Sequence, residues 1–226
     1  MTVDHRSRNA RLRREKMRAR LIEAALFVSA MRGPDAASID EVAAAAGASR
    51  GSFYNYFFTL QELLYAASHE LGTELITLVL AEIAPATDPA DRLARGALLI
   101  IEAGRRYPLV ARFAARMAAV ALAPGSVAHS VLPALLEAGI EAGRFRPLPL
   151  PEACDLTGAP VLASLARLAL GEEVASPVVV EGILRVLGLP EAEAQALANM
   201  AVALPPIADD SLLARTERVR LAREAG

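Results

Sequence analysis

The amino-acid sequence predicts an all-α protein. Of the 226 residues, 54% are hydrophobic, but only 4% are aromatic and none is Trp. Alanine and leucine supply most of the apolar side chains, and both residues favour helices. Valine and isoleucine nowhere alternate with polar residues over a long stretch, as they would in half-buried strands. We therefore expect helices throughout a chain that is long enough to bury a substantial core and to hold two modest domains.

The N-terminal region predicts a short disordered segment followed by a basic helix. Residues 1 to about 9 are polar and basic without periodicity, which is typical of disorder. From about residue 11 to residue 32 the apolar side chains recur at helical spacing, and Gly33-Pro34 ends this helix. Residues 1–20 contain eight basic and two acidic side chains, a net charge of +6, which leaves −8 on the remaining 206 residues. This concentration of positive charge favours a polyanionic partner, although a solvated tail is the alternative for Arg6 and Arg8.

The stretch from Ser38 to Leu64 predicts two short helices, a tight turn and the start of a long third helix. Ser38 and Glu41 are spaced as a capping box, which opens the first of these helices. Gly47 ends that helix, because glycine adopts a left-handed C-cap without strain. The helix has an apolar stripe at helical spacing, formed by Ile39, Val42, Ala43 and Ala46.

The second helix of this stretch is expected over Arg50 to Phe57, with Ser49 as its N-cap. Thr59 and Glu62 are spaced as another capping box, which starts the third helix. All three helix starts are therefore predicted from local chemistry alone.

Three residues of this stretch have the spacing of a helix-turn-helix. Two short helices that cross steeply need a small side chain at the contact, here Ala43, and glycine at the bend, here Gly47. They also need one bulky side chain beneath the second helix, here Phe53. The outer face then carries hydroxyl, amide and guanidinium groups, which bond phosphates and base edges. With the basic face of the first helix, the predicted DNA-binding residues are Arg11, Arg14, Ser38, Ser49, Arg50, Gly51, Ser52, Tyr54, Asn55, Tyr56 and Thr59.

The run AAGASRGSFYNYFFTLQELL resembles the TetR/AcrR family of bacterial transcriptional regulators, whose usual form is close to AGVSKGTLYHYFKSKEEL. The resemblance covers roughly the first quarter of the chain. It implies a three-helix DNA-binding domain over residues 1–58 and a helical ligand-binding and dimerisation domain over residues 59–226. Phe58 and Leu60 stand where the family commonly has Lys, so the resemblance also implies that one phosphate anchor is missing.

Proline and glycine residues divide the rest of the chain into further helices. The third helix of the motif is expected from about Thr59 to Ile83, where Pro85 follows. Later helices are expected over about 89–105, 108–122, 127–142, 152–170, 176–187 and 190–203, with a short surface helix within the charged tail 209–224.

The helices predicted at 152–170 and 176–187 are apolar over more than one face, so several of their sides must be buried. A single helix-turn-helix makes too few base contacts for specificity, whereas a dimer reads two half-sites about 34 Å apart on a palindrome. The resemblance implies that these two helices build a homodimer as a four-helix bundle. Burial within one chain is the alternative for about half of the candidate interface residues. These are Leu162, Leu165, Leu168, Val179, Ile183 and Leu187.

The resemblance further implies that the helices between residue 59 and residue 170 enclose a pocket for a small-molecule effector. Each apolar candidate is core unless it lines the pocket, and a buried charged candidate needs a partner, which a ligand could supply. The scarcity of aromatic residues favours an aliphatic or acyl ligand. The candidate lining residues are Leu75, Leu98, Ile101, Glu102, Phe113, Arg116, Met117, His129 and Leu165.

Several functional classes lack their sequence signals here. There is no G-x-S-x-G, P-loop, G-x-G-x-x-G or H-E-x-x-H motif, and three His with one Cys form no ligand cluster, so we expect no enzyme, cofactor or metal. No run of 18 apolar residues without a charge predicts a membrane span, and a single Cys suits a reducing cytoplasm.

Taken together, these features predict a homodimeric regulator that binds a palindromic operator in double-stranded DNA as a repressor and is released by a small apolar molecule. A constitutive DNA-bending or nucleoid-type protein without an effector is one alternative. A helical ligand-binding or enzymatic protein that has lost DNA binding is the other.

Overall fold

The computed structural model describes residues 2–32, 37–118 and 126–224, and within these ranges it contains eleven α-helices and no strand. The all-α fold predicted from the sequence is confirmed. The helices are α1 (Thr2–Arg32), α2 (Ile39–Ala45), α3 (Arg50–Phe53), α4 (Leu60–Ile83), α5 (Pro89–Arg106), α6 (Pro108–Arg116), α7 (Val127–Glu141), α8 (Leu150–Ala169), α9 (Ser176–Val186), α10 (Glu191–Ala198) and α11 (Leu212–Glu224). Among the described residues, no helix combines the length and the hydropathy of a membrane span.

Two helices near the N-terminus differ from their predicted bounds. α1 begins at Thr2, so the predicted disorder is wrong for residues 2–9, which contain no Gly or Pro that would end a helix. α3 ends at Phe53 rather than at Phe57, because the amides of Asn55 and Tyr56 bond to carbonyls three residues back and tighten the chain into turns.

Later in the chain, the helix predicted over 108–122 ends at Arg116, and residues 119–122 of that prediction lie outside the described residues. α10 ends at Ala198 rather than at about residue 203. The side chains of Met200, Val202 and Leu204 are half-buried, whereas residues 201 and 203 are exposed. This alternation belongs to an extended chain laid along the core, and it replaces the last turns of the predicted helix.

The apolar core is continuous across the predicted domain boundary. One buried cluster joins the three N-terminal helices to the first half of α4 and to α6 and α11. A second cluster packs α5 against α7, α8, α9 and α10. The division between residues 58 and 59 stays a prediction, and no gap in the core marks it.

The helix predicted within the tail 209–224 is confirmed as α11, and one face of it packs against α1, α4 and α6. Leu212 and Leu213 are buried in the first core cluster. The carboxylate of Glu74 on α4 accepts the backbone N–H groups of these two residues at 2.7 and 2.9 Å, as an N-cap supplied by another helix. Arg215 forms an ion pair with Glu23 of α1. The end of the chain is therefore fixed to both the first and the fourth helix.

Replacing Glu74 by Ala should lower the free energy of unfolding by about 1–2 kcal/mol, because it leaves two N–H groups at a helix start without their acceptor. Hydrogen exchange of residues 212–216 should quicken in parallel. Glu82→Ala is the matched control, because Glu82 is exposed on the same helix. Unchanged exchange at residues 212–216 in Glu74→Ala would show that apolar packing alone holds α11.

Candidate nucleic-acid interface and ligand cavity

The short helix α3 is anchored on one side and exposed on the other. Phe53 is fully buried, and its ring lies 6.2 Å from that of Phe57, which is also buried. The Ser49 side chain accepts the backbone N–H of Ser52 at 3.1 Å, so the predicted N-cap is confirmed. The predicted residues that this arrangement leaves exposed are Ser49, Arg50, Gly51, Tyr54 and Asn55, and Ser52 and Tyr56 are half-buried.

The bend before α3 favours glycine because of its backbone conformation. Gly47 has φ +65°, a left-handed conformation that side chains disfavour. A Cβ atom at this position would also lie only 2.5 Å from the guanidinium of Arg20 on α1. The predicted C-cap is therefore confirmed, and the bend lies next to the Arg20 side chain of α1.

Arg50 is held across the exposed face of the helix-turn-helix by a residue that the sequence reasoning missed. Its guanidinium donates to the carboxylate of Asp40 on α2 at 2.8 Å and lies 5.9 Å from the ring centre of Tyr54. An Arg has five N–H donors, so this pairing leaves donors for DNA. The pairing was not visible in the sequence because it depends on how α2 and α3 cross.

The basic face of α1 borders the end of α3. The Arg14 guanidinium lies 6.0 Å from the ring centre of Tyr56 and 3.5 Å from the backbone oxygen of Asn55. Arg11 is one turn further out, highly exposed, and 3.5 Å from Glu15. Every side chain from residue 7 to residue 16 is exposed. The first half of α1 is therefore a solvated, positively charged helical segment beside the helix-turn-helix.

The hydroxyls of Ser38 and Thr59 serve first as helix caps. Ser38 accepts the N–H of Glu41 at 3.3 Å while the Glu41 carboxylate accepts the N–H of Ser38, which confirms the capping box. These bonds hold the pKa of Glu41 below its ordinary value, and Arg32 contributes further. Thr59 accepts the N–H of Glu62 at 3.0 Å, but the Glu62 carboxylate accepts from Phe58 rather than from Thr59. The second capping box is thus displaced by one residue.

The two departures from the family pattern have different environments. Phe58 is 81% exposed, whereas Leu60 is half-buried against the core of the N-terminal helices. A lysine at position 60 would have to extend past this core to reach a phosphate. Leu60 therefore contributes packing at the junction of the turn and α4.

A cavity of about 150 Å³ lies between α4, α5, α7 and α8. On α5 it is lined by residues four apart, among them Arg92, Gly96 and Ile100, a spacing that puts them on one helix face. The lining residues from all four helices are Ile76, Val79, Leu80, Ile83, Arg92, Leu93, Gly96, Ala97, Ile100, Val131, Leu132, Leu135, Thr157, Gly158, Val161, Leu162 and Leu165.

Of the predicted pocket residues whose side chains the structure describes, Leu165 alone is among those lining this cavity. Glu102 forms an ion pair with Arg105, Arg116 is exposed, and the side chain of His129 lies outside the described residues. The others are buried in the two core clusters, namely Leu75, Leu98, Ile101, Phe113 and Met117. Sequence reasoning missed Arg92, although its four-residue spacing from Gly96 and Ile100 could have identified the face.

The predicted interface residues of α8 and α9 are mostly turned into the chain. Leu165, Ile183 and Leu187 are buried, and Leu162, Leu168 and Val179 are half-buried. A different apolar set on or directly after the same two helices is exposed, consisting of Leu156, Leu170, Val178 and Val186.

Comparison with known proteins identifies the N-terminal part of the chain. Residues 21–67 match the model of the family described as bacterial regulatory proteins, tetR family. An HTH-type transcriptional repressor of Mycobacterium tuberculosis is 35% identical over 82 residues, which are 36% of this chain and 41% of that protein. The matched region thus spans well under half of the relative. The chain has a helix-turn-helix of the TetR family.

Solved structures extend the likeness of fold over most of the chain. RolR in complex with resorcinol has a TM-score of 0.58 and 24% identity, over 87% of this chain and 99% of that one. AibR in complex with isovaleryl coenzyme A and operator DNA has a TM-score of 0.53 and 17% identity, over 76% of this chain and 97% of that one. The C-terminal helices are therefore arranged as in proteins of this fold.

Arg50→Ala should weaken specific DNA binding by about 1–3 kcal/mol if the guanidinium meets a guanine edge, and it should relax preference at one base pair. Fluorescence anisotropy with operator variants would measure both effects. Uniform weakening on all sequences would instead assign Arg50 to a phosphate, and no weakening would remove it from the interface. Arg106→Ala, an exposed arginine at the end of α5, is the control.

Proposed function

We propose that this chain is a homodimeric transcriptional repressor that binds a palindromic operator and leaves it when a small molecule occupies the cavity. The exposed face of α3 and of the turn after it is the observation that supports the proposal. Arg50, Tyr54 and Asn55 are exposed there, have little packing role of their own, and lie beside the positively charged first half of α1. Base edges and phosphates are the ligands that such groups suit. In this proposal the protein works in the cytoplasm, where operator DNA is accessible.

The cationic half of α1 supports binding along the phosphate backbone. Its exposed arginines lie next to the recognition surface, and Arg14 is placed over Tyr56. Contacts of this kind contribute affinity without sequence preference and make binding dependent on salt. The recognition helix then supplies the selectivity between operators.

The exposed apolar side chains of α8 and α9 support a homodimer. Val178 is 68% exposed, and Leu156 and Val186 are also exposed on these two helices, which pack against each other. A Cβ atom added at Gly182, between Val178 and Val186 on α9, would meet nothing within 4 Å. A partner helix can therefore approach the backbone closely here, as the four-helix arrangement implied by the family requires.

The connection between cavity and recognition helix supports release by a ligand. Only residues 54–59 separate α3 from α4, and the far half of α4 lines the cavity with Ile76, Val79, Leu80 and Ile83. A ligand that displaces α4 would change the spacing of the two recognition helices in the dimer. For this to work, ligand and DNA must favour different conformers.

The proposal is tested with DNA from upstream of the protein's own coding sequence. Full-length protein should bind this DNA with higher affinity than shuffled DNA, and the affinity should fall when a cavity ligand is added. Binding that never responds to a ligand would favour a constitutive DNA-binding protein. Equal affinity for shuffled DNA would contradict a sequence-specific repressor.

Val178→Glu should convert the dimer into monomers, because it places a carboxylate in an apolar contact. Analytical ultracentrifugation would measure the change, and binding to a palindromic site should weaken by at least about tenfold, since a monomer reads one half-site. Val219→Glu is the control, an exposed valine on α11. A dimeric Val178→Glu would place the interface elsewhere.

A further inference from the structure

The cavity between α4, α5, α7 and α8 has at its wall a half-buried arginine, Arg92, that forms no ion pair within the described part of the chain. Arg92 is the one charged side chain among the described residues that line the cavity. Its Nε is buried without a hydrogen-bond partner among the described residues. Burying such a donor unpaired is unfavourable, so a partner from outside the chain would stabilise this site.

The two acidic residues closest to Arg92 in sequence are already paired with other arginines. Asp88, one turn earlier, accepts two hydrogen bonds from Arg144 at 2.7 and 2.9 Å, and these bonds hold the pKa of Asp88 below its ordinary value. Asp91 accepts two from Arg95, at 2.7 and 3.4 Å. Arg92 is therefore left without either of these carboxylates as a partner, and its Nε–H remains a buried donor, unpaired within the described residues, beside an otherwise apolar space.

The second polar side chain of the cavity does not replace an anion. The hydroxyl of Thr157 donates to the backbone oxygen of Ala153 at 2.8 Å, so its proton is used within α8. Among the described lining residues, the side-chain N–H donors for an anionic ligand are those of Arg92. A guanidinium matches a carboxylate in geometry, because two parallel N–H groups can bond its two oxygens.

The remaining walls of the cavity limit the size and the polarity of the ligand that fits. They are formed by aliphatic side chains from all four helices, with glycine at positions 96 and 158. The volume of about 150 Å³ is that of an apolar cavity that holds a six-carbon ring. The space therefore suits an apolar group of about six carbon atoms.

We infer that the effector is a small amphipathic carboxylic acid, whose carboxylate pairs with Arg92 and whose aliphatic part fills the cavity. This inference rests on the proposed function, in which this cavity is the effector site. It narrows the apolar molecule expected from the sequence to an anion with an apolar tail.

Isothermal titration calorimetry on the full-length protein with three six-carbon probes tests the inference. Hexanoate should bind about tenfold or more tightly than hexan-1-ol, because charge-assisted hydrogen bonds are stronger than neutral ones. Hexylamine should bind most weakly, since its charge is repelled by Arg92. Arg92→Met should remove the preference for hexanoate and leave the affinity for hexan-1-ol unchanged.

Two further variants keep the test decisive. Arg95→Met is the matched control, because Arg95 lies on the same helix, is paired with Asp91 and does not line the cavity. It should keep the preference for hexanoate. Arg92→Lys keeps the charge and should retain the order of the three probes, which guards against a general loss of fold in Arg92→Met.

Three results would overturn the carboxylate assignment: equal affinity of the wild type for hexanoate and hexan-1-ol, undiminished hexanoate binding by Arg92→Met, or no binding of any probe. DNA binding measured on the same preparation separates these results from failure of the proposed function. A wild type that binds its upstream DNA specifically but shows no preference for hexanoate refutes only the inference about Arg92.

Discussion

The buried stripe of α4 is the constraint on which the rest of the structure depends. Leucine, alanine, valine and isoleucine recur about every four residues from Leu63 to Ile83, all of them buried. At the start this stripe packs with the helix-turn-helix core, and at the end it packs beside the cavity. A helix of 24 residues is about 36 Å long, so one stiff element spans both sites. In the proposed mechanism, α4 is therefore the element that connects the cavity with the helix-turn-helix.

Local chemistry made the N-terminal half of the fold predictable. Ser38, Ser49 and Thr59 each cap the helix that follows, and Gly47 takes the left-handed bend, as their sequence positions indicated. The resemblance to the TetR family was also strongest in this region, and the family match over residues 21–67 agrees with it. Features that depend only on neighbours in the chain, such as caps and bends, can be predicted from sequence because their partners lie within a few residues.

The parts that sequence missed all depend on contacts between distant residues. The face of α5 that lines the cavity was misassigned. Leu98, Ile100 and Ile101 are all apolar, so the sequence pattern does not separate the helix face that meets the cavity from the face that is buried in the core, and only packing decides between them. The ion pair of Arg50 with Asp40 joins two helices across a bend. The docking of α11 was hidden by its charged composition, since its two buried leucines are outnumbered by arginine and glutamate.

That docking has a consequence for how the protein is made. Leu212 and Leu213 belong to the same core cluster as Phe53 and Phe57, and Arg215 pairs with Glu23, which lies 192 residues earlier. Domains at the start of a chain commonly fold while the remainder is still being synthesised. Here the N-terminal core lacks two of its side chains until residues 212 and 213 have left the ribosome. A nascent chain from which α11 has not yet emerged therefore carries a helix-turn-helix whose core is incompletely packed.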